Sequence, residues 1–503
     1  MQEKGKRQWA KGKAGRGIKT FYFLLFTLTF SVLLALGMNL PANAAPRYYT
    51  ELEFPALPEV KLPDYKRYQL PNGLLVYLVE NHELPFVSGT ALIKVGDRWE
   101  PAKQVGLGEL TGTVMRTGGT KLHTGDELNQ LLEQEAASVE TGISEVSGSA
   151  SFSSLTEDTA KVFDWFAEVL TQPVFNQEKL SFAKSQIRGN IARRNDDPGA
   201  ILNREFMKLI YGQESPYARS IEYATLDQVN QEDLLQFYQK YFQPNNMILG
   251  ISGDFDSQQM QQLIAEKLGS WQPQPNLQLP PLPPVAQANT GGVFLVEQPQ
   301  LNQSFVLLGH LGGLLKDPDY AALDVINNVM NGFGGRLFDE VRSRQGLAYS
   351  VYGYWSPGFD YPGTFLAGGQ TRSAATVPFI KSILGEIDRL RTTPITTTEL
   401  ARAKDSTLNS FIFKFQTPEQ TLSRLMRYEY YGYPQDFLFQ YQRQVAATTI
   451  VDVQRAAKTY LQPDKFVTLV VGSSAAIQPA LTTLGAEVKA IDITIPGGGD
   501  SKR

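Results

Sequence analysis

The chain has 503 residues, of which 42% are hydrophobic and 19% are charged, with no cysteine and three histidines. Such a length exceeds what one hydrophobic core supports and predicts at least two domains, while the apolar fraction is too high for a disordered chain. The lack of cysteine excludes disulfides, thiolate zinc sites and a cysteine nucleophile. No two of the histidines, His82, His123 and His310, are close enough in sequence to bind one metal ion from a single helix.

The net charge of −4 is unevenly distributed along the chain. Residues 1–44 contain seven lysines and arginines and one glutamate, a balance of 7 − 1 = +6, so the other residues carry −4 − 6 = −10. A body of that sign has no electrostatic reason to bind nucleic acid. The basic charge belongs to the N-terminal segment alone.

The N-terminal segment has the order of a secretory signal. Residues 21–38 are apolar and uncharged, follow the basic stretch, and precede Ala42-Asn43-Ala44, a small-x-small cleavage sequence. We therefore predict a signal peptide over residues 1–44 and export to the periplasm or an equivalent extracytoplasmic space. The alternative is an uncleaved membrane anchor formed by residues 21–38, because such a stretch nearly spans a bilayer.

The first half of the body alternates between β-rich and amphipathic helical sequence. The predicted elements are strands over Leu74–Val79 and Phe86–Val95, helices over Val105–Arg116 and Thr124–Glu135, and strands over Val146–Phe152 and Met247–Ser252. Ser154-Leu155-Thr156-Glu157 predicts a capping box that opens a helix ending before Pro173. Strands joined by long helical stretches predict an α+β fold, with a mainly antiparallel sheet backed by helices.

A proline-rich segment, residues 271–291, divides the body into a first half over residues 63–270 and a second over 292–495. The two halves resemble each other: Tyr77-Leu78-Val79-Glu80 matches Phe294-Leu295-Val296-Glu297 at an offset of 217, and Gly253 matches Gly472 at 219. Matches that recur in order at nearly one offset indicate a duplicated domain. We predict two tandem homologous lobes joined by the linker, and a disordered tail over residues 496–503.

The body resembles the pitrilysin-type metallopeptidases, the inverted zincins that include insulinase and mitochondrial processing peptidase. The residues that carry the resemblance lie between Leu62 and Ile477: Leu155-Thr156-Glu157-Asp158, Asp197-Pro198, Phe242-Gln243-Pro244-Asn245-Asn246, Gly335-Arg336-Leu337-Phe338 and Gly346-Leu347-Ala348-Tyr349. The family's metal motif is H-x-x-E-H on a helix, where two histidines bind zinc and the glutamate is the general base.

That metal motif is missing here. Aligned on Gly106-Leu107, the positions of the first histidine, the base and the second histidine hold Glu109, Gly112 and Thr113, and the family's third ligand position falls on Asn190. Glycine has no side chain to deprotonate water, and threonine and asparagine are poor zinc ligands. The sequence therefore predicts no metal site and no complete catalytic set in this chain. The resemblance implies that zinc is bound instead by a partner subunit of the same family.

A second feature of the family is present. The resemblance implies that Arg342 and Tyr349, seven residues apart, hold the substrate backbone near the scissile bond. A guanidinium can donate to a peptide carbonyl, and a phenol can donate to a developing oxyanion. The alternative is structural, with Arg342 paired to Asp339 and Tyr349 packed in the core of a strand.

The resemblance thus implies a non-catalytic, peptide-binding subunit of a zinc endopeptidase heterodimer. Its expected partners are a catalytic subunit of the same family and unfolded peptides, which would add a strand at Val146–Phe152; nucleic acid is not expected. One alternative is a stand-alone peptide-binding or assembly protein, and another is a zinc peptidase with a changed metal site. The glycine-rich residues 331–336 predict a turn, the tyrosine-rich residues 426–433 predict helix-end packing, and the three histidines predict structural roles.

Overall fold

A computed structural model describes residues 62–497 of the chain. The predicted signal peptide, its alternative as an anchor, and residues 498–503 of the predicted tail lie outside the described residues. Within residues 62–497, no helix combines the length and the apolar character needed to cross a membrane.

The first sheet has six strands in the order β1-β2-β6-β3-β5-β4. Only the β2–β6 pair is parallel, and the other neighbours are antiparallel. β6 is buried along its whole length, as expected for a central strand covered on both faces. The strands are β1 (Lys66–Gln69), β2 (Leu75–Glu80), β3 (Phe86–Ile93), β4 (Ser138–Ile143), β5 (Gly148–Leu155) and β6 (Met247–Gly253).

The second sheet has the order β12-β7-β11-β8-β10-β9 and repeats the first except at one end, where β12–β7 is parallel and β1–β2 is antiparallel. The repeated pairs share their directions: β7–β11 is parallel like β2–β6, and β11–β8, β8–β10 and β10–β9 are antiparallel. The predicted fold class, two homologous α+β lobes with mainly antiparallel sheets, is therefore confirmed. The strands are β7 (Val293–Glu297), β8 (Gln303–Leu311), β9 (Ala348–Ser356), β10 (Thr364–Arg372), β11 (Val467–Gly472) and β12 (Val488–Ala490).

Helices back both sheets, and the sheet with its own helices is called lobe 1 or lobe 2. Side-chain caps begin many of these helices, such as the capping box of Thr124 with Glu127. In lobe 1 the helices are α1 (Leu107–Thr117), α2 (Gly125–Gln134), α3 (Thr159–Thr171), α4 (Gln177–Arg193), α5 (Pro198–Tyr211), α6 (Tyr223–Asp227), α7 (Gln231–Tyr241) and α8 (Ser257–Leu268). In lobe 2 they are α9 (Tyr320–Met330), α10 (Thr376–Thr392), α11 (Thr397–Ile412), α12 (Pro418–Tyr431), α13 (Phe437–Ala447) and α14 (Ile450–Tyr460).

The two lobes exchange one helix each. α5 of lobe 1 packs on the sheet of lobe 2, where Phe206 and Ile210 meet Leu307 and Leu469. α12 of lobe 2 packs in the same way on the sheet of lobe 1. The exchanged helices are themselves a repeat: both have 14 residues, both start with proline, and their first residues are 418 − 198 = 220 apart.

The linker is more tightly packed than its proline content predicts. Between α8 and β7 the chain forms no helix or strand, yet Trp271 and Leu279 pack against the core of lobe 1. Trp99 donates to the carbonyl of Pro281, and Tyr217 donates to that of Pro283, each at 3.3 Å. These contacts fix the segment along the surface of lobe 1.

Two local predictions are wrong. Val146–Phe152 was expected to be an edge strand, but β5 lies between β3 and β4, so β4 is the edge. Ser154 was expected to cap a helix, but it lies in β5, and its hydroxyl is 3.2 Å from that of Thr159. The alternating pattern identifies a strand with two faces, whereas its place in the sheet depends on pairing with residues distant in sequence.

Candidate functional site

The helix that would carry the metal motif, α1, has an unusual N-terminal cap. Gly106 precedes it at φ 106°, a conformation that favours glycine, and the buried carboxylate of Glu100 accepts the amide hydrogens of Gly106 and Gly108 at 3.0 and 2.9 Å. A carboxylate is stabilised there by the amide groups and by the helix dipole. Glu100 thus fixes where α1 begins.

The four aligned motif positions lie on two helices that pack together. Glu109, Gly112 and Thr113 are on α1, and Asn190 is on α4. Glu109 keeps its access to solvent, yet the surrounding protein desolvates it enough to raise the pKa of its carboxyl. Gly112 is buried, Thr113 is half-buried and Asn190 is exposed.

At Gly112 the helix touches the backbone of edge strand β4. A Cβ atom there would lie 2.5 Å from the amide nitrogen of Ile143 and 2.8 Å from Gly142. Thr141 of β4 also donates its hydroxyl to the carbonyl of Gly112 at 2.6 Å. The position where the family has its general base is therefore filled by main chain, and a glutamate would fit only if β4 moved.

These residues do not fit a zinc ion. Of the four positions only Glu109 offers a charged ligand, and residues 62–497 contain no group of three or more His, Asp or Glu side chains placed to hold a metal. The prediction that this chain binds no zinc remains to be measured.

A buried carboxyl cluster beside α1 was not anticipated from the sequence. Burial raises the pKa of Asp97 to about 6 and that of Glu100 to about 7, and it also raises the pKa of Glu145. These three side chains line a cavity of about 200 Å³ together with Arg219, which donates to the carbonyls of Asp97 and Glu100 at 2.9 and 2.8 Å. The three charged residues within Asp97-Arg98-Trp99-Glu100 were the sequence feature that could have indicated this cluster.

The same segment connects the lobes through one ion pair. Arg98, 4% exposed, donates both terminal nitrogens to the carboxylate of Asp360, at 3.1 and 2.9 Å. Next to Asp360, Tyr361 stacks on Tyr217 of lobe 1 with ring centres 4.1 Å apart. Lobe 1 is thus joined to the β9–β10 turn of lobe 2 directly beside the carboxyl cluster.

The structure brings Arg342 and Tyr349 together. The guanidinium of Arg342 lies 4.6 Å from the ring centre of Tyr349 and 4.7 Å from that of Phe338. Tyr349 is 83% exposed, so it is not a core residue, and Arg342 makes no ion pair with Asp339 among the described residues. The structure therefore shows neither the Arg342–Asp339 ion pair nor the core packing of Tyr349 that the structural alternative required.

Two irregular elements position the pair. Arg342 is on a π-helical turn, Phe338–Arg344, a rare geometry that is frequent at functional sites. Ser350 pairs with Gln370 while Ala348 pairs with Thr371, so Tyr349 is the additional residue of a β-bulge. A bulge redirects a side chain, which explains why Tyr349 points away from the core.

The pair lies at an open sheet edge. β9 has β10 as its single strand partner within the described chain, so its other backbone edge is unpaired there. A cavity of about 400 Å³, lined by Tyr349, Ser350, Gln370 and Arg372 among others, lies beside it.

The weaker sequence signals take the following positions. The glycine-rich loop turns at positive φ at Gly332 and Gly334 and exposes Phe333 by 85%, with its ring 5.0 Å from that of Phe338. The tyrosine-rich segment packs at the end of α12, where Tyr430 donates to the carbonyl of Val146 at 2.6 Å.

Each of the three histidines has its own hydrogen-bond partners. His82 is 2.5 Å from Asp254, which raises the pKa of the imidazole, and His123 is 2.9 Å from Glu168. His310 is buried, which lowers its pKa; its Nδ1 donates to the carbonyl of Leu311, and its Nε2 accepts from the amide of Gln462.

Comparison with known proteins gives consistent matches. A family model described as Insulinase (Peptidase family M16) matches residues 75–225, and one described as Peptidase M16 inactive domain matches residues 228–407. The chain is 27% identical to an uncharacterized zinc protease of Streptomyces coelicolor over 61% of this chain and 68% of that protein. It is 25% identical to the non-peptidase homolog YmxG of Helicobacter pylori, over 71% and 82%. A crystal structure of a peptidase M16 inactive domain from Pseudomonas fluorescens covers 83% of this chain and 100% of its own, with a TM-score of 0.71 and 25% identity.

Proposed function

Because the chain belongs to peptidase family M16, we propose that it is the non-catalytic, substrate-binding subunit of a zinc endopeptidase heterodimer. The observation that carries the proposal is the stacked Arg342–Tyr349 pair at an unpaired strand edge, on a chain whose α1 lacks the zinc ligands. The partner would be a chain of the same family that carries H-x-x-E-H and the zinc ion.

The chemistry of the pair supports peptide binding. An arginine offers five donors and no acceptor, and a tyrosine hydroxyl can donate to an oxygen that gains charge. The unpaired N–H and C=O groups of β9 can add an extended peptide as a further strand. β9 thus replaces Val146–Phe152 as the strand on which we place the peptide, because β5 is already paired on both sides.

This placement assigns a different role to each subunit. The partner's zinc and general base would hydrolyse the peptide, while Arg342 and Tyr349 hold its backbone and stabilise the developing charge. The signal peptide predicted over residues 1–44 supports export, so both subunits would work in the periplasm or an equivalent space.

The first test is co-purification of the tagged chain from its native host, with the recovered proteins identified by mass spectrometry. The expected result is a chain of similar size with H-x-x-E-H, in about equal amount. Recovery of the chain alone, or with unrelated proteins, would contradict the subunit proposal and favour a stand-alone peptide-binding protein. Stoichiometric zinc in the purified chain itself would instead favour a zinc peptidase with a changed metal site.

The second test uses the reconstituted pair. Arg342→Ala and Tyr349→Phe should each lower kcat for peptide hydrolysis, by a factor of about 10² where a transition-state donor is lost. The matched control is Arg344→Ala, since Arg344 lies on the same π-helical turn but is exposed and paired with Glu340. If all three variants lose activity equally, or none does, the assigned role of the pair is wrong.

A further inference from the structure

Three side-chain donors lie together on one face of the lobe 2 sheet. Arg372 on β10 is directly opposite Gln303 on β8, and Gln370 is two residues before Arg372 on the same face. All three are exposed. Farther along the same face, Leu307 and Leu366 pack in the cluster beneath α5, so these donors lie where the sheet extends beyond that helix.

These donors have no partner of their own. In the described part of the chain, the guanidinium of Arg372 makes no ion pair, and the amides of Gln303 and Gln370 make no side-chain hydrogen bond. The strand beneath them is firmly held, since the buried Thr371 donates to the carbonyl of Leu347 at 2.6 Å. A fixed strand thus presents three unpaired donor groups to one opening.

That opening is the cavity of about 400 Å³ beside Tyr349. Arg372 is the one charged side chain among its lining residues, and no carboxylate lines it. The chain after residue 44 carries a charge of −10, so this local positive site contrasts with its surroundings. A planar guanidinium flanked by amide N–H groups suits a carboxylate, which accepts hydrogen bonds on both oxygens.

We propose that Arg372, with Gln303 and Gln370, forms a carboxylate subsite that selects the peptides this protein binds. The inference rests on the proposed function, because it assigns a substrate class to the same site. Tyr349 lines the cavity and stacks on Arg342, so the subsite adjoins the place where the peptide backbone would pair with β9. The selected carboxylate is either an acidic side chain or the C-terminus of the peptide.

The test measures the affinity of the full chain for four matched fluorescent peptides by anisotropy. The peptides share one unstructured sequence and combine an internal Glu or Gln with a free or an amidated C-terminus. The expected result is that one carboxylate source improves affinity about tenfold at low salt, a typical gain from one charge-assisted interaction. Comparing the Glu and Gln peptides with the free and amidated peptides shows whether the subsite binds the glutamate side chain or the C-terminal carboxylate.

Arg372→Gln should abolish this preference, and Arg372→Lys should keep part of it. Arg344→Gln is the matched control and should leave the preference intact, because that exposed arginine is already paired with Glu340. Arg372 has no side-chain partner among the described residues, so the variants should fold normally, and circular dichroism would check that they do. Equal affinity for all four peptides, or a preference that survives in Arg372→Gln, would overturn the subsite and leave the proposed function standing. Failure to bind any of the four would overturn both.

Discussion

At the scale of single residues, the most informative side chain is Glu100. Its carboxylate is almost fully buried, yet it accepts the amide hydrogens of Gly106 and Gly108 at the start of α1, and Arg219 lies 3.7 Å away. Desolvation outweighs these contacts, because the pKa of the carboxyl is raised to about 7. Burial likewise raises the pKa of the neighbouring Asp97 to about 6.

These values predict how stability changes with pH. A carboxyl whose pKa is higher in the folded protein than in the unfolded chain stabilises the fold fully below the unfolded pKa, roughly 4. That contribution is lost as pH rises through the folded values of about 6 and about 7. Asp97 and Glu100 should therefore stabilise the fold more at pH 5 than at pH 8, which favours a higher melting temperature at pH 5.

Glu100→Gln should reduce the difference in melting temperature between the two pH values, since one of the two titrating groups is removed. Glu133→Gln, on the exposed face of α2, is the control and should leave the difference unchanged. Thermal melts followed by circular dichroism give the comparison. An equal pH dependence in Glu100→Gln and the parent protein would show that Glu100 does not carry this effect.

At the scale of elements, the contact between α1 and β4 leaves no room for a general base at the position aligned with the family's glutamate, Gly112. Gly112 lets the helix approach the strand backbone so closely that a Cβ atom would lie 2.5 Å from Ile143. Glycine at this position therefore allows α1 to pack directly against the backbone of β4. The corresponding irregular elements of lobe 2, the π-helical turn and the β-bulge, instead turn Arg342 and Tyr349 outward.

Gly112→Ala should lower the free energy of unfolding by about 1–3 kcal/mol, because a methyl group there would displace the backbone of β4. Gly189→Ala is the matched control: it is also within a helix, but its Cβ would meet only the end of the Arg193 side chain, at 4.0 Å. That variant should raise stability by about 0.5–1 kcal/mol through helix propensity. Urea denaturation measures both, and changes of the same sign would contradict the close contact.

At the scale of the whole molecule, the exchange of α5 and α12 joins the lobes through two apolar interfaces. Each helix fills the second face of the other lobe's sheet, and Arg98 adds a bidentate ion pair to Asp360. Each sheet therefore depends on a helix from the other half of the sequence. The two lobes should unfold together rather than separately.

Phe206→Ala tests this dependence. Phe206 is on α5 and fully buried against the sheet of lobe 2, so its truncation should cost about 3–5 kcal/mol. Calorimetry should show one transition at a lower temperature, and hydrogen exchange should quicken in β8 and β11 as well as in α5. Phe182→Ala, at a 62% exposed position on α4, is the control. Two separate transitions, with only one shifted, would show that the lobes are independent.

The sequence by itself determined the α+β class, the duplication and the loss of the metal motif. Each depends on local evidence: the alternation of apolar residues, the recurrence of Tyr77–Glu80 as Phe294–Glu297, and the identity of Glu109, Gly112, Thr113 and Asn190. The pair Arg342 and Tyr349, seven positions apart, came from the family resemblance, because the residue types alone also allowed structural roles for both.

Only the tertiary structure decided which strand is the edge, which helix covers which sheet, and where buried charge collects. The alternation in β5 identifies a strand but not its place in the sheet, and β4 pairs outside it. Arg372 and Gln303 meet across strands that are 69 residues apart in sequence, 372 − 303. Such contacts depend on strand register and on helix exchange between the lobes. Both are set by the packing of distant residues, which leaves no trace in local sequence patterns.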